Sequence, residues 1–262
     1  MRADTVLLHR NEAVAELVLN RPERRNALDA AAVGAFGAAL SDLESDPPRA
    51  LLLRGEGKAF CAGRDLSDAQ PLTEDAEAIL RDELNPLVAR LAALPLPTVA
   101  AVQGAALGTG LGLALACDVV LVGEGARIGS PFSAIGAVLD SGAHHFLCSR
   151  IGPNRTLELV YTGRFLSGAE AVAWGIANQV HPDDALLEAA RALVATIAAG
   201  PTLAFRASKE LLTRMTAAGA VMGLADVLTA EARAQGLAAR THDYAEGITA
   251  FQEKRKPSFT GS

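Results

Sequence analysis

The chain has 262 residues, half of them apolar and 21% charged, with a formal net charge of -6. No apolar run approaches the roughly 18–20 residues that span a bilayer, Glu12 and Glu16 interrupt the short apolar stretch after Met1 so that no signal peptide is expected, and an acidic balance argues against general nucleic-acid binding, which needs a broad basic face. Three cysteines (Cys61, Cys117, Cys148) without a C-x-x-C pair suit neither a disulfide framework nor a zinc site, so a soluble cytoplasmic protein with no metal is expected.

In chain order, Thr5–His9 and Val14–Leu19 are short β-branched-rich runs separated by Asn11 and Glu12, which predicts a hairpin. Asp29 precedes an alanine-rich helix ending near Ser45, and Pro47 and Pro48 break it. Ala50–Leu53 has the length and composition of a buried strand and leads into a loop over Gly55–Asp65. Ile79, Leu84, Leu87 and Leu91 recur at helical spacing between Glu74 and Leu94, before Pro95 and Pro97. Thr98–Val102 and Val119–Val122 are again buried-strand runs, joined by a glycine-rich turn and a short helix. Strands linked by helical crossovers predict an α/β core with largely parallel pairing.

Beyond about residue 150 the pattern turns helical. Pro153 suits a first helical turn, and Ser167 with Glu170 has capping-box spacing. Helices are expected near Asp183–Ala199, Pro201–Ala217 and Val227–Phe251, interrupted at Gly200 and around Gly219–Gly223. The chain thus divides into an α/β core over 1–200 and a helical region over 201–262. Two basic clusters, Arg21/Arg24/Arg25 and Lys254/Arg255/Lys256, suit either local anchoring of an anionic small molecule or solvated turns.

Gly104, Gly108, Gly110 and Gly112 follow a predicted strand and open a predicted helix. Small residues there allow a ligand to approach backbone N–H groups at the positive end of the helix dipole. Close helix–strand packing is the competing reading. The spacing G-x-G-x-G, lying mid-chain, does not match the G-x-G-x-x-G of an opening dinucleotide-binding unit. Nor is there a G-x-S-x-G nucleophile elbow.

Four segments fall in order: residues 20–28 (NRPERRNAL), 57–66 (GKAFCAGRDL), 102–112 (VQGAALGTGLG) running into Ala116-Cys117-Asp118, and 251–255 (FQEKR). Together they resemble the crotonase, or enoyl-CoA hydratase/isomerase, superfamily from about Leu19 to Phe259. The resemblance implies a ClpP/crotonase-like ββα spiral core with a C-terminal helical trimerisation region. It also implies an acyl-CoA thioester as substrate, coenzyme A as part of that substrate and no other cofactor, and a homotrimer or dimer of trimers. By the same resemblance the backbone N–H groups of Arg64 and Thr109 hold the thioester oxygen; preorganised donors of this kind stabilise the charge that grows there. Arg24 or Arg25 falls near the nucleotide phosphates, the Lys58–Ala62 carbonyls flank the adenine and pantetheine arm, Gly108 sits in the turn before Thr109, and Phe251 and Lys254 match residues that reach a neighbouring subunit's CoA.

The acid–base positions depart from the hydratases. Their two glutamates correspond to Gly112 and Phe132 here, and neither side chain moves a proton. Without paired carboxylates an ordinary hydration is not expected; Phe132 is expected to line the acyl tunnel instead. Some isomerases and a dehalogenase of the superfamily carry an aspartate at the position of Asp140. Its apolar neighbours predict a partly desolvated carboxyl with a raised pKa and the character of a base, although Asp140 also suits a cap on a helix starting near Ser141. His144 could assist proton transfer or touch the acyl group, while adjacent His144 and His145 are otherwise expected to be one packed and one exposed. Cys61 is expected to be a small buried hydrophobe rather than a nucleophile, and Trp174 a packing residue. These residues predict an enoyl-CoA isomerase; the alternatives are a non-catalytic acyl-CoA carrier and another crotonase-type reaction in a specialised pathway.

Overall fold

The computed structural model describes residues 4–11, 13–67, 69–70, 73–216 and 223–262. The chain opens with β1 (Val6–Asn11) and β2 (Val14–Leu19), followed by α1 (Ala30–Ser45) and β3 (Ala50–Gly55). Then come α2 (Ala76–Ala78), a π-helical segment (Ile79–Leu84) and α3 (Asn85–Ala93). The centre is β4 (Thr98–Val102), β5 (Ala105–Leu107), α4 (Thr109–Ala116), β6 (Val119–Gly123) and β7 (Arg127–Gly129). The remainder is α5 (Ala143–Thr162), α6 (Gly168–Ala173), β8 (Gln179–His181), α7 (Leu186–Ala198), α8 (Thr202–Thr216), α9 (Leu224–Ala238) and α10 (His242–Glu253).

One six-stranded sheet has the order β1-β2-β3-β4-β6-β8, parallel except for the β1–β2 pair; β5 and β7 form a second, two-stranded parallel sheet. Successive strand residues face opposite sides, so a strand covered on both sides must be apolar throughout. In β3 and β4, Ala50, Leu52, Val99 and Ala101 meet Leu186, Ala190 and Val194 of α7. Their alternates Leu51, Leu53, Ala100 and Val102 enter the main core with Phe36, Leu40, Leu91 and Leu113 from α1, α3 and α4. The parallel α/β core expected from the chain is the one observed.

Local signals are also realised. The Asp29 carboxylate accepts the Ala32 N–H as the N-cap of α1, and Ser167 and Glu170 make a complete capping box. Pro153 follows a non-helical break at Gly152 inside α5, restarting the helix as expected. Two expectations need correction. The single helix predicted over Val227–Phe251 is two, α9 and α10, because Thr241 leaves the helix to cap the Tyr244 N–H. Between β4 and β6 the turn contains a short strand, β5, absent from the sequence reading. Glu12, Ala217 and residues 219–222 lie outside the described residues.

The boundary expected at 200/201 falls between α7 and α8, but the C-terminal part is tied to the core. The Arg49 guanidinium donates to Thr202 Oγ1, Gly200 O and Phe259 O. Asp243, 2% exposed, accepts the N–H groups of Thr260 and Gly261. No single helix among the described residues is long and apolar enough to cross a membrane.

Candidate active site

The site grows from the end of β3 and the start of α4. Residues 60–62 run parallel to β5: Cys61 N–H donates to Ala105 O and Leu107 N–H to Cys61 O. On the other side of this loop Leu28 bridges Arg64, with Leu28 N–H donating to Gly63 O and Asp65 N–H to Leu28 O. In such a parallel bridge Leu28 uses the groups of residues 63 and 65, so the Arg64 N–H points away from it. Among the described residues the Arg64 N–H has no protein acceptor, and neither does the Thr109 N–H at the first turn of α4. The two loops touch: a β-carbon on Gly63 would lie 2.8 Å from Leu107 O and 3.5 Å from Thr109 N. Gly108, between them, has φ +53°, a backbone region that favours glycine. The structure thus brings together two spare amides at the positive end of a wholly buried helix.

Of the four glycines read as ligand approaches, three serve packing instead. A β-carbon on Gly104 would come within 2.1 Å of Lys58 O, one on Gly110 within 2.2 Å of Cys61 O, and one on Gly112 within 2.2 Å of Ser141 O. Position 112 therefore has no room for a glutamate while the Ser141 loop stays where it is. Ser141 is held in a left-handed conformation (φ +53°) and donates from Oγ to Thr109 Oγ1 at 3.0 Å. Strain of this kind in a buried non-glycine residue persists only where surrounding contacts over-determine it.

Asp140 precedes that residue. The cap expected of it is not made: Gly142 is the N-cap of α5, without a side-chain bond, and it is the backbone oxygen of Asp140 that accepts the Ala143 N–H. Its Oδ1 is buried with no hydrogen-bond partner among the described residues. Burial pushes the carboxyl above the usual carboxylate range, against the opposing pull of the Ser141 hydroxyl and of His144. His144 and His145 are both exposed, contrary to the packed-and-exposed expectation; His145 meets the edge of Phe146.

Phe132, half-buried, lies over the turn: a β-carbon on Gly108 would be 3.0 Å from the tip of its ring. Phe132 also lines an apolar cavity with Leu111, Ile128, Leu139, Leu147 and Leu159. The cavity volume is ≈ 20 Å³, about the space one water needs, so an acyl chain must widen it.

At the rim, Asn26 (1% exposed) joins the loops by donating to Glu56 O and Ala59 O and accepting from Arg21 N–H, while Ala62 N–H donates to Arg25 O. This brings exposed Arg24, Arg25 and Lys58 alongside Ala62. Arg21 leaves the basic cluster, because it pairs with Asp29 and Asp65. The Ala59 and Cys61 carbonyls already accept from Asn26 and Leu107. The Arg64 side chain forms a two-pronged pair with Glu74 at 2.9 and 2.8 Å. Phe251 (83% exposed) and Lys254 lie on the surface and do not line the cavity.

Cys61 is buried, and burial pushes its thiol up to about 12 against the Gly63 N–H, so it is no nucleophile. Trp174 packs between the Arg155 and Arg164 guanidiniums, 5.0 and 4.8 Å from its ring centre. Asn26, Ser130 and Ser141 were not singled out from the sequence; a polar residue beside a glycine-rich loop gives little warning that it will be buried.

The enoyl-CoA hydratase/isomerase family profile matches residues 9–262. The chain belongs to this family, within the crotonase superfamily. Members similar to it include a probable enoyl-CoA hydratase of Rhodobacter capsulatus, 37% identical with 100% of each chain covered. A 1,2-epoxyphenylacetyl-CoA isomerase of Escherichia coli is 36% identical, with 98% of each chain covered. Among solved structures, a candidate enoyl-CoA hydratase/isomerase from Mycobacterium abscessus superposes with a TM-score of 0.92 at 35% identity, covering 98% of this chain and 100% of that one. The crotonase fold and an acyl-CoA-processing role follow from family membership, and the site described above lies inside the matched region.

Proposed function

We propose that this family member isomerises an unsaturated acyl-CoA, with Asp140 as the acid and base and the Arg64 and Thr109 amides holding the thioester oxygen. Asp140 takes the proton from C2 of a 3-enoyl ester and returns it at C4, so that the double bond moves to C2. Negative charge passes onto the thioester oxygen between the two steps. One preorganised donor to that oxygen is typically worth roughly 2.7–4 kcal/mol. The observation that carries this reading is the Asp140 carboxyl, partly desolvated and with Oδ1 unpartnered, next to the residue that bonds Thr109. Hydration would need a second carboxylate to activate water, and positions 112 and 132 hold glycine and phenylalanine.

In this proposal Arg24, Arg25 and Lys58 engage the CoA phosphates and the Ala62 backbone flanks the pantetheine arm. Phe132 and Gly108 bound the acyl chain, and His144 tunes Asp140 electrostatically. Phe251 and Lys254 extend toward a neighbouring subunit's CoA in a trimer or dimer of trimers, and the enzyme works in the cytoplasm with no cofactor beyond the CoA of its substrate. The test is turnover of 3-enoyl-CoA by Asp140→Asn. The expected loss is at least about 100-fold with CoA-ester affinity retained; unchanged turnover removes Asp140 from the mechanism. A non-catalytic carrier is the second reading, favoured by the two non-acidic positions, and tight binding without double-bond migration across chain lengths would select it.

A further inference from the structure

We propose that Ser130 is a specificity-determining residue that selects acyl chains carrying a hydrogen-bonding oxygen. The inference rests on the acyl-CoA reading above and concerns the same pocket. Ser130 follows β7 directly, and the preceding Gly129 carbonyl accepts the Gly108 N–H at 3.3 Å, so Ser130 stands beside the turn that presents the Thr109 amide. The residue is 9% exposed, lines the apolar cavity, and its Oγ is buried without a hydrogen-bond partner among the described residues. Its neighbours in that wall are mostly apolar, among them Leu111, Leu139, Leu147 and Leu159, and the other hydroxyl in the lining, that of Ser133, belongs to an exposed residue.

A hydroxyl in such a place is an exception, since nearly all buried polar atoms in folded proteins are satisfied. The adjoining cavity measures ≈ 20 Å³, about the space of one water, and the Oγ itself presents almost no accessible surface to it. An acyl chain entering the cavity must widen this wall and so uncover the hydroxyl. A plain methylene leaves the hydroxyl stranded, whereas a hydroxyl or oxo oxygen at the right carbon accepts its proton and supplies the missing bond. Pockets built to bond an oxygen discriminate strongly against analogues that lack it, because the penalty falls on the unpaired protein group.

The test uses saturated esters, which cannot isomerise, so that binding is read apart from turnover. Hexanoyl-CoA and its 4-, 5- and 6-hydroxy derivatives are titrated calorimetrically into the full-length wild-type protein and Ser130→Ala. One hydroxy ester is expected to bind at least about tenfold more tightly than hexanoyl-CoA, with the advantage lost in the variant. The unliganded variant should keep the wild-type melting temperature; a drop would show that Oγ has a partner inside the protein and would overturn the assignment. It is overturned equally if no hydroxy ester gains over hexanoyl-CoA, or if the gain survives Ser130→Ala. Failure of every ester to bind would instead overturn the acyl-CoA reading itself.

Discussion

Replacing Gly112 by alanine tests the contact on which the position of Asp140 depends. In a helix interior alanine is normally favoured over glycine by about 1 kcal/mol. Here the added β-carbon would stand 2.2 Å from Ser141 O and 2.8 Å from Ser141 Cβ. Restoring ordinary contact requires a shift of roughly 1 Å or more, and the atom that must move belongs to the backbone of a residue already held at φ +53°. Overpacking a full core costs about 1–3 kcal/mol, and a backbone obstacle places this case near the top of that range. The net expectation is a loss of about 2 kcal/mol, or a fall in Tm of about 4–8 °C for a chain of this size, measured by scanning calorimetry. Because Ser141 bonds Thr109 and adjoins Asp140, turnover should fall as well, by up to about 100-fold if the carboxyl moves 1 Å. Gly34→Ala in α1 is the control: nothing lies within 4 Å of its β-carbon, so that variant should gain up to about 1 kcal/mol. A Gly112→Ala protein as stable and active as the wild type would refute the close approach, and so would a Gly112→Glu protein that folds normally and hydrates enoyl-CoA.

Asp140→Asn should stabilise the protein while inactivating it. The folded chain holds the Asp140 proton to higher pH than the unfolded chain does, so this group's contribution to stability is present below the unfolded pKa and lost as pH rises through the folded one. The variant should therefore melt higher than the wild type at neutral pH, with the difference closing toward about pH 4; a lower Tm at neutral pH would contradict the desolvated setting. In the wild type, isomerase activity should fall with acidification through a pKa above that of an ordinary aspartate, as a pH–rate profile will show. Phe132→Ala should open the cavity and raise kcat/KM for branched or longer acyl chains relative to short ones, while unchanged chain-length preference would detach Phe132 from the acyl site. Native thiol titration should label only exposed Cys148, with Cys61 and Cys117, both buried and pushed up to about 12, reacting after denaturation.

Much of the architecture was legible because it rests on local chemistry. Asp29 and Ser167 announce helix starts through bonds that close within three residues. Continuous apolar runs at 98–102 and 119–122 announce strands covered on both faces. Thr241 carried an equally local signal, an N-cap whose bond closes three residues on at Tyr244, yet the helical spacing running through it concealed the break between α9 and α10. The three-residue strands β5, β7 and β8 are too short to show a period. Within the site, the turns carrying Arg64, Gly108 and Thr109 were visible as glycine-rich segments. The role of Gly112 was not, because its reason is a carbonyl on residue 141.

By itself the sequence determined the types of the longer elements, the parallel α/β class, the family, and the absence of a glutamate at positions 112 and 132. Only the tertiary structure decided that Arg21 is spent on Asp29 and Asp65, that Asp140 leaves its helix uncapped and keeps an unpartnered oxygen, and that the Ser130 hydroxyl is shut into an apolar wall. Periodicity and capping are properties of neighbouring residues, whereas burial and hydrogen-bond satisfaction depend on which distant segments arrive: residue 141 at 112, residue 65 at 21, and the β7 exit at the Gly108 turn.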